Sequence, residues 1–448
     1  MAGYHVLNFG CRATQADGAA IERELAHLGM SNAEIDAAAL VVLNTCTVTA
    51  NADADARAAI RRVHRENPAA KILVTGCYAQ RAPEEIGTMK GVTWVVGNSH
   101  KPEIGKILRG QVTGDRGQSG FVTLAALNGV ETYIDDIFAH TELLAAPVFE
   151  GGAKTRPNLK VQDGCDNRCS FCVIPFVRGA SRSLPLEAVL REVELLVDSG
   201  YREMVISGIN LGRWRRDFSA PSRFENLLRA ILSETTIERI RISSVEPMDW
   251  SDELIDLVAT EPRICKHAHV PLQSGSDRVL RMMHRKYRPW HYSERIQKIH
   301  AAMPHAAIGA DVMVGFPGET DAMFAETRDF IAELPFTYLH VFTFSSRPGT
   351  KAEKMADHVP APVAKERNRI LRELIAEKNR RWRESFVGQE IEAITLHPKP
   401  DGSTEALSNN YIKVRLRGEH PANQLLTVIV DTLSEDGLEG RLCVPALA

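Results

Sequence analysis

The stretch GCDNRCSFCVIP, residues 164–175, decides the fold, because it places Cys165, Cys169 and Cys172 in one short loop. The 448-residue chain holds only eight cysteines. It opens with MAGYHVLNFG, which has no basic region followed by an apolar core and a cleavage site. We therefore expect a cytoplasmic location in which thiols stay reduced. Under those conditions metal chemistry is a better interpretation of the three thiols than a disulfide.

The spacing of the loop cysteines distinguishes zinc from an iron-sulfur cluster. Structural zinc sites prefer paired C-x2-4-C knuckles that supply four ligands. Here the spacing is C-x3-C-x2-C, with three thiols and no fourth Cys or His nearby. Closely spaced loop cysteines ligate 4Fe-4S clusters, and three of them leave one iron without a protein ligand. The polar residues Asp166, Asn167, Arg168 and Ser170 disfavour the alternative of three buried structural thiols.

A second trio of cysteines follows three apolar runs. YHVLNFGC, LVVLNTC and KILVTGC end at Cys11, Cys46 and Cys77, and a stretch with helical apolar spacing follows each. Alternating strands and helices predict a parallel sheet, with VTWVVGN as its fourth strand. Because such sheets bind ligands beyond the carboxyl ends of their strands, we expect these thiols to converge. The alternative is chance placement of small apolar residues. Cys265 and Cys443 stand alone and are expected to be structural.

The middle of the chain, from about 155 to 350, repeats the pattern of strand and helix. Six runs, from NLKVQDGC to TYLHVFTFSS, predict an incomplete (β/α)6 barrel whose active site lies at the carboxyl ends of its strands. Each polar residue near these ends is by itself more often a cap or turn residue. Together they are expected to line one rim: Ser207, Asn210, Ser243, Glu246, Gln273 and Asp311.

A basic helix, ERNRILRELIAEKNRRWRESFVG, follows the predicted barrel. Its Arg380, Arg381 and Arg383 either form a solvated face or contact phosphate. The net charge of −3 gives no overall basic signature, so a nucleic-acid partner needs a local patch. No uninterrupted apolar run reaches the roughly 20 residues that span a bilayer, so no membrane partner is expected.

The tail, from about residue 386, consists of short alternating strands divided by Gly, Pro, Asn and Asp, which predicts a small antiparallel barrel. Small barrels of this kind include binders of oligonucleotides. The stretch NNYIKVRLRG interleaves Tyr411 with Lys413, Arg415 and Arg417, a mixture that suits base stacking and phosphate contact. Because strand side chains alternate, the odd-numbered basic residues are expected on one face.

These patterns predict an α/β chain of three units. The predicted ranges are 1–115 for the amino-terminal βαβ parallel-sheet domain, 116–152 for a linker, 153–385 for the incomplete barrel with its basic helix, and 386–448 for the small antiparallel barrel.

Eight motifs extend this interpretation over nearly the whole chain: NFGC, VLNTCTVT, VTGCYAQ, VQDGCDNRCSFCVIPFVRG, SGINLG, RISSVEP, HVPLQSGSD and VMVGFPGET. Together they resemble the radical S-adenosylmethionine (SAM) methylthiotransferase family, which joins an amino-terminal three-cysteine domain, a radical SAM barrel and a carboxyl-terminal TRAM barrel. LHVFTFSSRPGT and KERNRIL most resemble its MtaB-type members. Those enzymes transfer a methylthio group to C2 of N6-threonylcarbamoyladenosine-37 of tRNA.

The resemblance implies two 4Fe-4S clusters, one on each cysteine trio, with the loop cluster binding SAM and generating a 5′-deoxyadenosyl radical. Phe171 belongs to the loop signature, and with the rim residues it is expected to contact SAM. A radical is needed because an aromatic C–H is too weak an acid for any side-chain base. The implied partners are tRNA, an electron donor of the flavodoxin or ferredoxin type, and a sulfur donor.

The chain departs from the family pattern at three positions. Thr14 and Asp17 stand where the family usually has Asn and Glu, and Phe344 replaces a common tyrosine. None of these is expected to touch a cluster ligand. Two rival functions stay open: the same chemistry on N6-isopentenyladenosine-37 or on a ribosomal-protein aspartate, and a non-catalytic iron-sulfur protein that binds RNA or transfers electrons.

Overall fold

The computed structural model describes residues 2–110, 129–140, 143 and 155–443, which form three units. Most of the predicted linker and residues 444–448 lie outside the described residues. The strands of the first unit are β1 (Gly3–Asn8), β2 (Ser31–Asn32), β3 (Leu40–Thr45), β4 (Lys71–Gly76), β5 (Val92–Val96) and β6 (Glu131–Tyr133). Its helices are α1 (Arg12–His27), α2 (Ala50–Glu66), α3 (Cys77–Arg81), α4 (Pro83–Gly87) and α5 (Ile104–Leu108).

The first unit is the predicted parallel sheet, in the order β2-β1-β3-β4-β5-β6. Its central strand β3 is buried on both faces, as a parallel sheet covered by helices requires. Val41 and Leu43 pack into one apolar cluster, and Leu40 and Val42 into another on the opposite face. Strand β6 comes from the segment predicted as linker, so that prediction missed the sixth strand. Its short ETY sequence has too few apolar residues to indicate a strand.

The second unit is the incomplete barrel. Its strands are β7 (Asn158–Asp163), β8 (Arg182–Ser183), β9 (Glu203–Gly208), β10 (Arg239–Ile242), β11 (His267–His269), β12 (Ala307–Val314) and β13 (Tyr338–Thr343). Its helices are α6 (Ile174–Arg178), α7 (Leu186–Asp198), α8 (Phe224–Glu234), α9 (Asp252–Thr260), α10 (Asp277–Met282), α11 (Pro289–Ala302), α12 (Asp321–Glu333) and α13 (Ala361–Glu384).

Six of these strands are parallel, as predicted, in two sheets that meet between β10 and β11. The sheets run β10-β9-β7-β8 and β11-β12-β13, and a parallel bridge from Ile240 to Ile264 joins them. The short strand β8 adds an antiparallel edge to β7. Because β8 and β13 end the two sheets, the barrel stays open along one side.

The inner face of the barrel is polar. On β10, Ile240 and Ile242 join the large apolar cluster under the outer helices, whereas Arg239 and Arg241 alternate to the other face. Both arginines bind the carboxylate of Glu203, at 2.7 and 3.0 Å, and all three side chains are buried. Strand β7 repeats this alternation, because Leu159 and Val161 join the same cluster whereas the polar Lys160 and Gln162 lie on the other face.

The third unit is a closed barrel in the order β14-β15-β16-β18-β17. Its strands are β14 (Glu390–Pro398), β15 (Thr404–Ser408), β16 (Lys413–Leu416), β17 (Leu425–Leu433) and β18 (Leu438–Leu442). The expected small antiparallel barrel is confirmed: four of its five strand pairs are antiparallel, and β16 pairs with β18 in parallel. An odd number of strands in a closed ring cannot alternate throughout, so one parallel pair is unavoidable. Among the described helices, none has the length and apolarity to cross a membrane.

A buried ionic cluster joins the first unit to the barrel. Asp17 of α1 contacts Lys160 of β7, and its second oxygen lies 2.8 Å from Lys101 and 3.1 Å from Arg178. Asp163 completes the cluster, at 2.8 Å from Lys160 and 2.9 Å from Arg178. Each of the five side chains is at least nine-tenths buried. The surrounding cations hold the pKa of Asp17 well below its usual range.

We predict that Asp17→Asn destabilises the protein by about 3–5 kcal/mol, because it leaves buried cations with one carboxylate fewer. Since the folded-state pKa of Asp17 is depressed, its stabilising contribution is present at pH 7 and is lost only as pH falls below about 4. Urea unfolding at pH 7 measures the difference. The control is Asp55→Asn, which removes an exposed carboxylate of α2 in the same unit. Equal midpoints for the two variants would contradict the prediction.

Candidate active site

The loop of Cys165, Cys169 and Cys172 connects the carboxyl end of β7 to α6. Gly164 makes the turn into the loop at a φ of +71°, and a Cβ there would lie 1.9 Å from the carbonyl oxygen of Ala180. Only glycine fits this position. The Cys165 amide then bonds the Gly179 carbonyl at 3.1 Å, which closes the loop on itself.

The loop thiols lie among hydrogen-bond donors. The Arg285 guanidinium donates to Cys169 Sγ at 3.3 Å and also contacts the carboxylate of Glu246. The Asn210 amide lies 3.8 Å from Cys165 Sγ. Burial raises the pKa of Cys172 to about 12, and the neighbouring Cys169 adds to this effect. Deprotonating Cys172 therefore requires a strong cation nearby, which is what coordination to a metal supplies.

Cys11, Cys46 and Cys77 follow the carboxyl ends of β1, β3 and β4, three adjacent strands, as predicted. They lie close enough that Cys77 and Cys11 both help to raise the pKa of Cys46, which burial raises to about 12. Gly10, at a φ of +95°, brings its backbone against Cys46, because a Cβ there would lie 2.7 Å from the Cys46 sulfur.

One expectation about this trio is wrong. Thr14 was expected to touch no thiol, yet its hydroxyl lies 3.6 Å from Cys11 Sγ. The reason is helical geometry: Cys11 is the N-cap of α1, so a residue three positions later returns to the same side of the helix. Asp17 lies one turn further along α1 and enters the ionic cluster instead.

The two trios are mechanically connected. Helix α6, which follows the loop trio, packs on α3, which begins at Cys77. The Asn98 amide donates to Cys77 Sγ at 3.6 Å and to the Val177 carbonyl of α6 at 2.7 Å. Arg178 ends α6 and enters the ionic cluster with Asp17. A shift of either trio is therefore transmitted to the other.

The predicted rim residues differ in their environments. Ser207 donates to the Leu159 carbonyl at 3.5 Å, and Phe171 packs edge-on to Phe316. Phe316 also contacts Phe344, so the aromatic substitution at 344 fills the apolar cluster beside the loop. Glu246 neutralises Arg285. The loop cysteines therefore lie beside an apolar cluster of phenylalanines and beside the Glu246–Arg285 ion pair.

Asp311 has partners that the sequence did not predict. Its two carboxylate oxygens each lie 3.2 Å from a histidine, Nε2 of His269 and Nδ1 of His340. These hydrogen bonds hold the pKa of Asp311 far below its usual range despite burial, which opposes the shift. The alternating pattern of HAHVPLQ is the signal that was available, because it puts His267 and His269 on one face of β11.

The proposed nucleic-acid residues divide between two places. Lys413, Arg415 and Arg417 are exposed and alternate with buried Val414 and Leu416, as period two predicts. Tyr411, the fourth residue expected to bind nucleic acid, lies apart from this surface. It packs under the barrel, with ring centroids 4.7 Å from His267 and 5.9 Å from Tyr338. The chain turns at Tyr411, where φ is +69°, so strand alternation does not extend to it.

The basic helix is largely neutralised by its own residues. Arg380 pairs with Glu377 and Glu384, and Arg381 pairs with Glu377. Arg383 instead donates to three backbone carbonyls near the start of β18, at 2.9–3.3 Å. Intrahelical pairs at i, i+3 and i, i+4 fit a solvated face.

Known proteins match this architecture throughout. Residues 159–331 match the Radical SAM superfamily, and residues 3–97 match the Uncharacterized protein family UPF0004. The chain is 36% identical over 427 residues to the threonylcarbamoyladenosine tRNA methylthiotransferase MtaB of Aquifex aeolicus, covering 94% of this chain and 98% of that protein. It is 34% identical over 404 residues to the tRNA-2-methylthio-N(6)-dimethylallyladenosine synthase of Nocardia farcinica, covering 87% and 77%.

The solved structure of the radical S-adenosylmethionine methyltransferase TsrM of Kitasatospora setae shares the fold, with a TM-score of 0.55 at 16% identity over 79% of this chain and 74% of that one. Barrel, loop and second trio thus define a radical SAM enzyme. The chain belongs to the radical SAM methylthiotransferase family and is a tRNA methylthiotransferase that uses two 4Fe-4S clusters and SAM.

The residues of the rim fit a polar ligand such as SAM. Three buried side-chain oxygens there bond no protein atom: Oδ1 of Asn210, Oγ of Ser243 and Oε1 of Gln273. Buried polar atoms are nearly always hydrogen-bonded, so these oxygens suit a ligand that carries donors. Gln273 holds a φ of +68°, which few residues other than glycine adopt and which is common at ligand sites.

Proposed function

We propose that this enzyme transfers a methylthio group to C2 of N6-threonylcarbamoyladenosine-37 of tRNA. The observation that carries the proposal is the near full-length identity to relatives that bear the name threonylcarbamoyladenosine tRNA methylthiotransferase, 32–36% over 92–98% of the chain in five cases. Relatives named for dimethylallyladenosine match at 32–34%. Sequence identity to these relatives alone therefore distinguishes only weakly between the two candidate substrate nucleosides.

The polar interior of the barrel supports the same choice. A threonylcarbamoyl group carries a carboxylate, a hydroxyl and a carbamoyl group, whereas an isopentenyl group is a hydrocarbon. Burying the polar group without hydrogen-bonding partners costs several kcal/mol, so its site must supply donors and acceptors. The inner faces of β11 to β13 present His269, Asp311 and His340, of which His340 is largely exposed on the open side.

We further propose that Cys165, Cys169 and Cys172 hold the SAM cluster and that Cys11, Cys46 and Cys77 hold the auxiliary cluster. When bound, the two clusters and SAM supply the radical, the sulfur and the methyl group. The protein positions them: Arg285 and Asn210 donate to loop thiols, and Asn98 ties the second trio to α6.

The expected product is tested by mass spectrometry of tRNA nucleosides. A strain that lacks its own methylthiotransferase and expresses this chain should gain the 2-methylthio form of N6-threonylcarbamoyladenosine. Because the proposed site suits polar substituents, the isopentenyl nucleoside should stay unmodified. Gain of the 2-methylthio isopentenyl nucleoside alone would refute the proposal and assign the rival substrate. Methylthiolation of a ribosomal-protein aspartate without either nucleoside would do the same.

The separate roles proposed for the two cysteine trios give a second expectation. Reconstituted protein should bind about eight irons, the content of two 4Fe-4S clusters. Replacing Cys165, Cys169 and Cys172 together with Ala should leave about four irons and abolish SAM cleavage. Cys46→Ala should also leave about four irons, yet still form 5′-deoxyadenosine and no methylthio product, because its loop trio is intact. Cys265→Ala, outside both trios, is the control and should keep all eight. Loss of SAM cleavage in Cys46→Ala would contradict separate roles.

We propose that the exposed face of β16 binds tRNA. Lys413 and Arg415 are 57% and 52% exposed, and their acidic partners, Glu405 at 3.9 Å and Asp401 at 2.9 Å, are surface ion pairs that contribute little. Phosphate can therefore displace these partners at small cost. The electron donor, of flavodoxin or ferredoxin type, and the sulfur donor complete the proposed set of partners.

Replacing Lys413, Arg415 and Arg417 with Gln should weaken tRNA binding and reduce its salt dependence, since each lost phosphate contact releases about one counterion fewer. Filter binding at several salt concentrations measures both. SAM cleavage without tRNA should not change. The matched control replaces Arg380 and Arg381, which are occupied by intrahelical pairs. If the control rather than the β16 variant loses affinity, the helix is the tRNA-binding surface.

A further inference from the structure

The strands β11, β12 and β13 bring His269, Asp311 and His340 together inside the barrel. The Asp311 carboxylate lies 3.2 Å from Nε2 of His269 on one side and 3.2 Å from Nδ1 of His340 on the other. All three ligand atoms lie within 4.8 Å of one another, and no other trio of His, Cys, Asp or Glu in the described part of the chain meets this condition. The group is separate from both sets of cysteines.

The donor set is one that binds transition metals. Two imidazoles and one carboxylate hold divalent first-row ions and leave coordination positions open. Metal bonds of about 2.1 Å to nitrogen and oxygen place neighbouring ligand atoms about 3.0–3.4 Å apart. The two distances of 3.2 Å fall in that range, so an ion fits with small movements of the side chains.

A second layer of contacts orients His269. Its Nδ1 lies 2.9 Å from the Tyr338 hydroxyl, which lies 2.7 Å from Nε2 of His267. The Tyr338 hydroxyl therefore lies between the two rings, and the other ring nitrogen of His269, Nε2, faces Asp311. A hydrogen bond on the far nitrogen is the usual way in which proteins fix a metal-binding histidine.

The backbone makes room for this arrangement. A Cβ at Gly309 of β12 would lie 2.0 Å from the Tyr338 ring, so the ring occupies space that only glycine leaves. On the other side of the cluster, the His340 side chain is 63% exposed on the edge strand β13. The site is thus rigid at His269 and reachable from the open side of the barrel.

We propose that His269, Asp311 and His340 bind a divalent first-row transition-metal ion inside the barrel. Its open coordination positions face the open side and take oxygen ligands such as a carboxylate. The proposed function uses these three side chains only as polar partners of the substrate and needs no metal beyond the two clusters, so the ion goes beyond it.

Zinc binding tests the proposal without measuring activity. The cluster-loaded protein is dialysed anaerobically against Zn²⁺, and zinc and iron are counted by plasma mass spectrometry. Every form carries Cys443→Ser, which removes the accessible thiol outside the trios. The parent should bind one zinc per chain. Tyr338→Phe, which touches no metal, should raise the dissociation constant about 10–100-fold. His340→Ala should raise it at least as much, while His291→Ala, which removes an exposed histidine of α11, should not.

Iron content equal to that of the parent confirms that each variant is folded and loaded. Zinc binding that is the same in parent, His340→Ala and Tyr338→Phe would overturn the proposal, and so would the absence of saturable zinc in the parent. Because no tRNA is present, failure here leaves the proposed reaction untouched, and failure of the nucleoside experiment leaves the metal site untouched.

Discussion

Two carboxylates and three cations, buried between the first unit and the barrel, fix the position of one unit on the other. Asp17 and Asp163 share Lys160 and Arg178, and Asp17 also binds Lys101 of its own unit. Charges buried this deeply are tolerated only when every partner is present, so the cluster forms only if the first unit docks in one position. That position also fixes the distance between the two cysteine trios, because Arg178 ends the helix that follows the loop cysteines.

A second contact between the first unit and the barrel reinforces the docking. Arg347, in the SSRPGT segment after β13, donates to the hydroxyl of Thr47 at 2.9 Å and contacts Asp53. Arg81 of α3 binds the same two side chains at 2.8 Å each. The loop after Cys46 is therefore clamped from the barrel as well as from its own sheet. Two sets of buried charged contacts thus join the first unit to the barrel.

Much of this architecture could be predicted from the sequence, because its signals are local. Apolar runs that end at Cys11, Cys46 and Cys77 give both the parallel sheet and the convergence of the thiols. The loop spacing from Cys165 to Cys172 gives the cluster chemistry. Long-range contacts gave no such signal. Asp17 pairs with lysines 84 and 143 residues away, and Asp311 pairs with histidines on two other strands. Contacts between residues so far apart leave no periodic pattern in the sequence from which they could be predicted. The position of Tyr411 also had no sequence signal, because the chain turns there and strand alternation does not reach it.

The turn from β15 to β16 packs against the larger barrel. Arg239 and Arg241 donate to the backbone carbonyls of residues 407–409 at 3.0–3.3 Å, and Arg241 lies over the Tyr411 ring at 5.2 Å. The small barrel thus covers the end of the larger barrel at which Arg239 and Arg241 lie, and it also carries a basic surface. Removing the small barrel would expose Arg239 and Arg241 and admit water to the interior of the larger barrel. The two units therefore depend on each other for a closed interior.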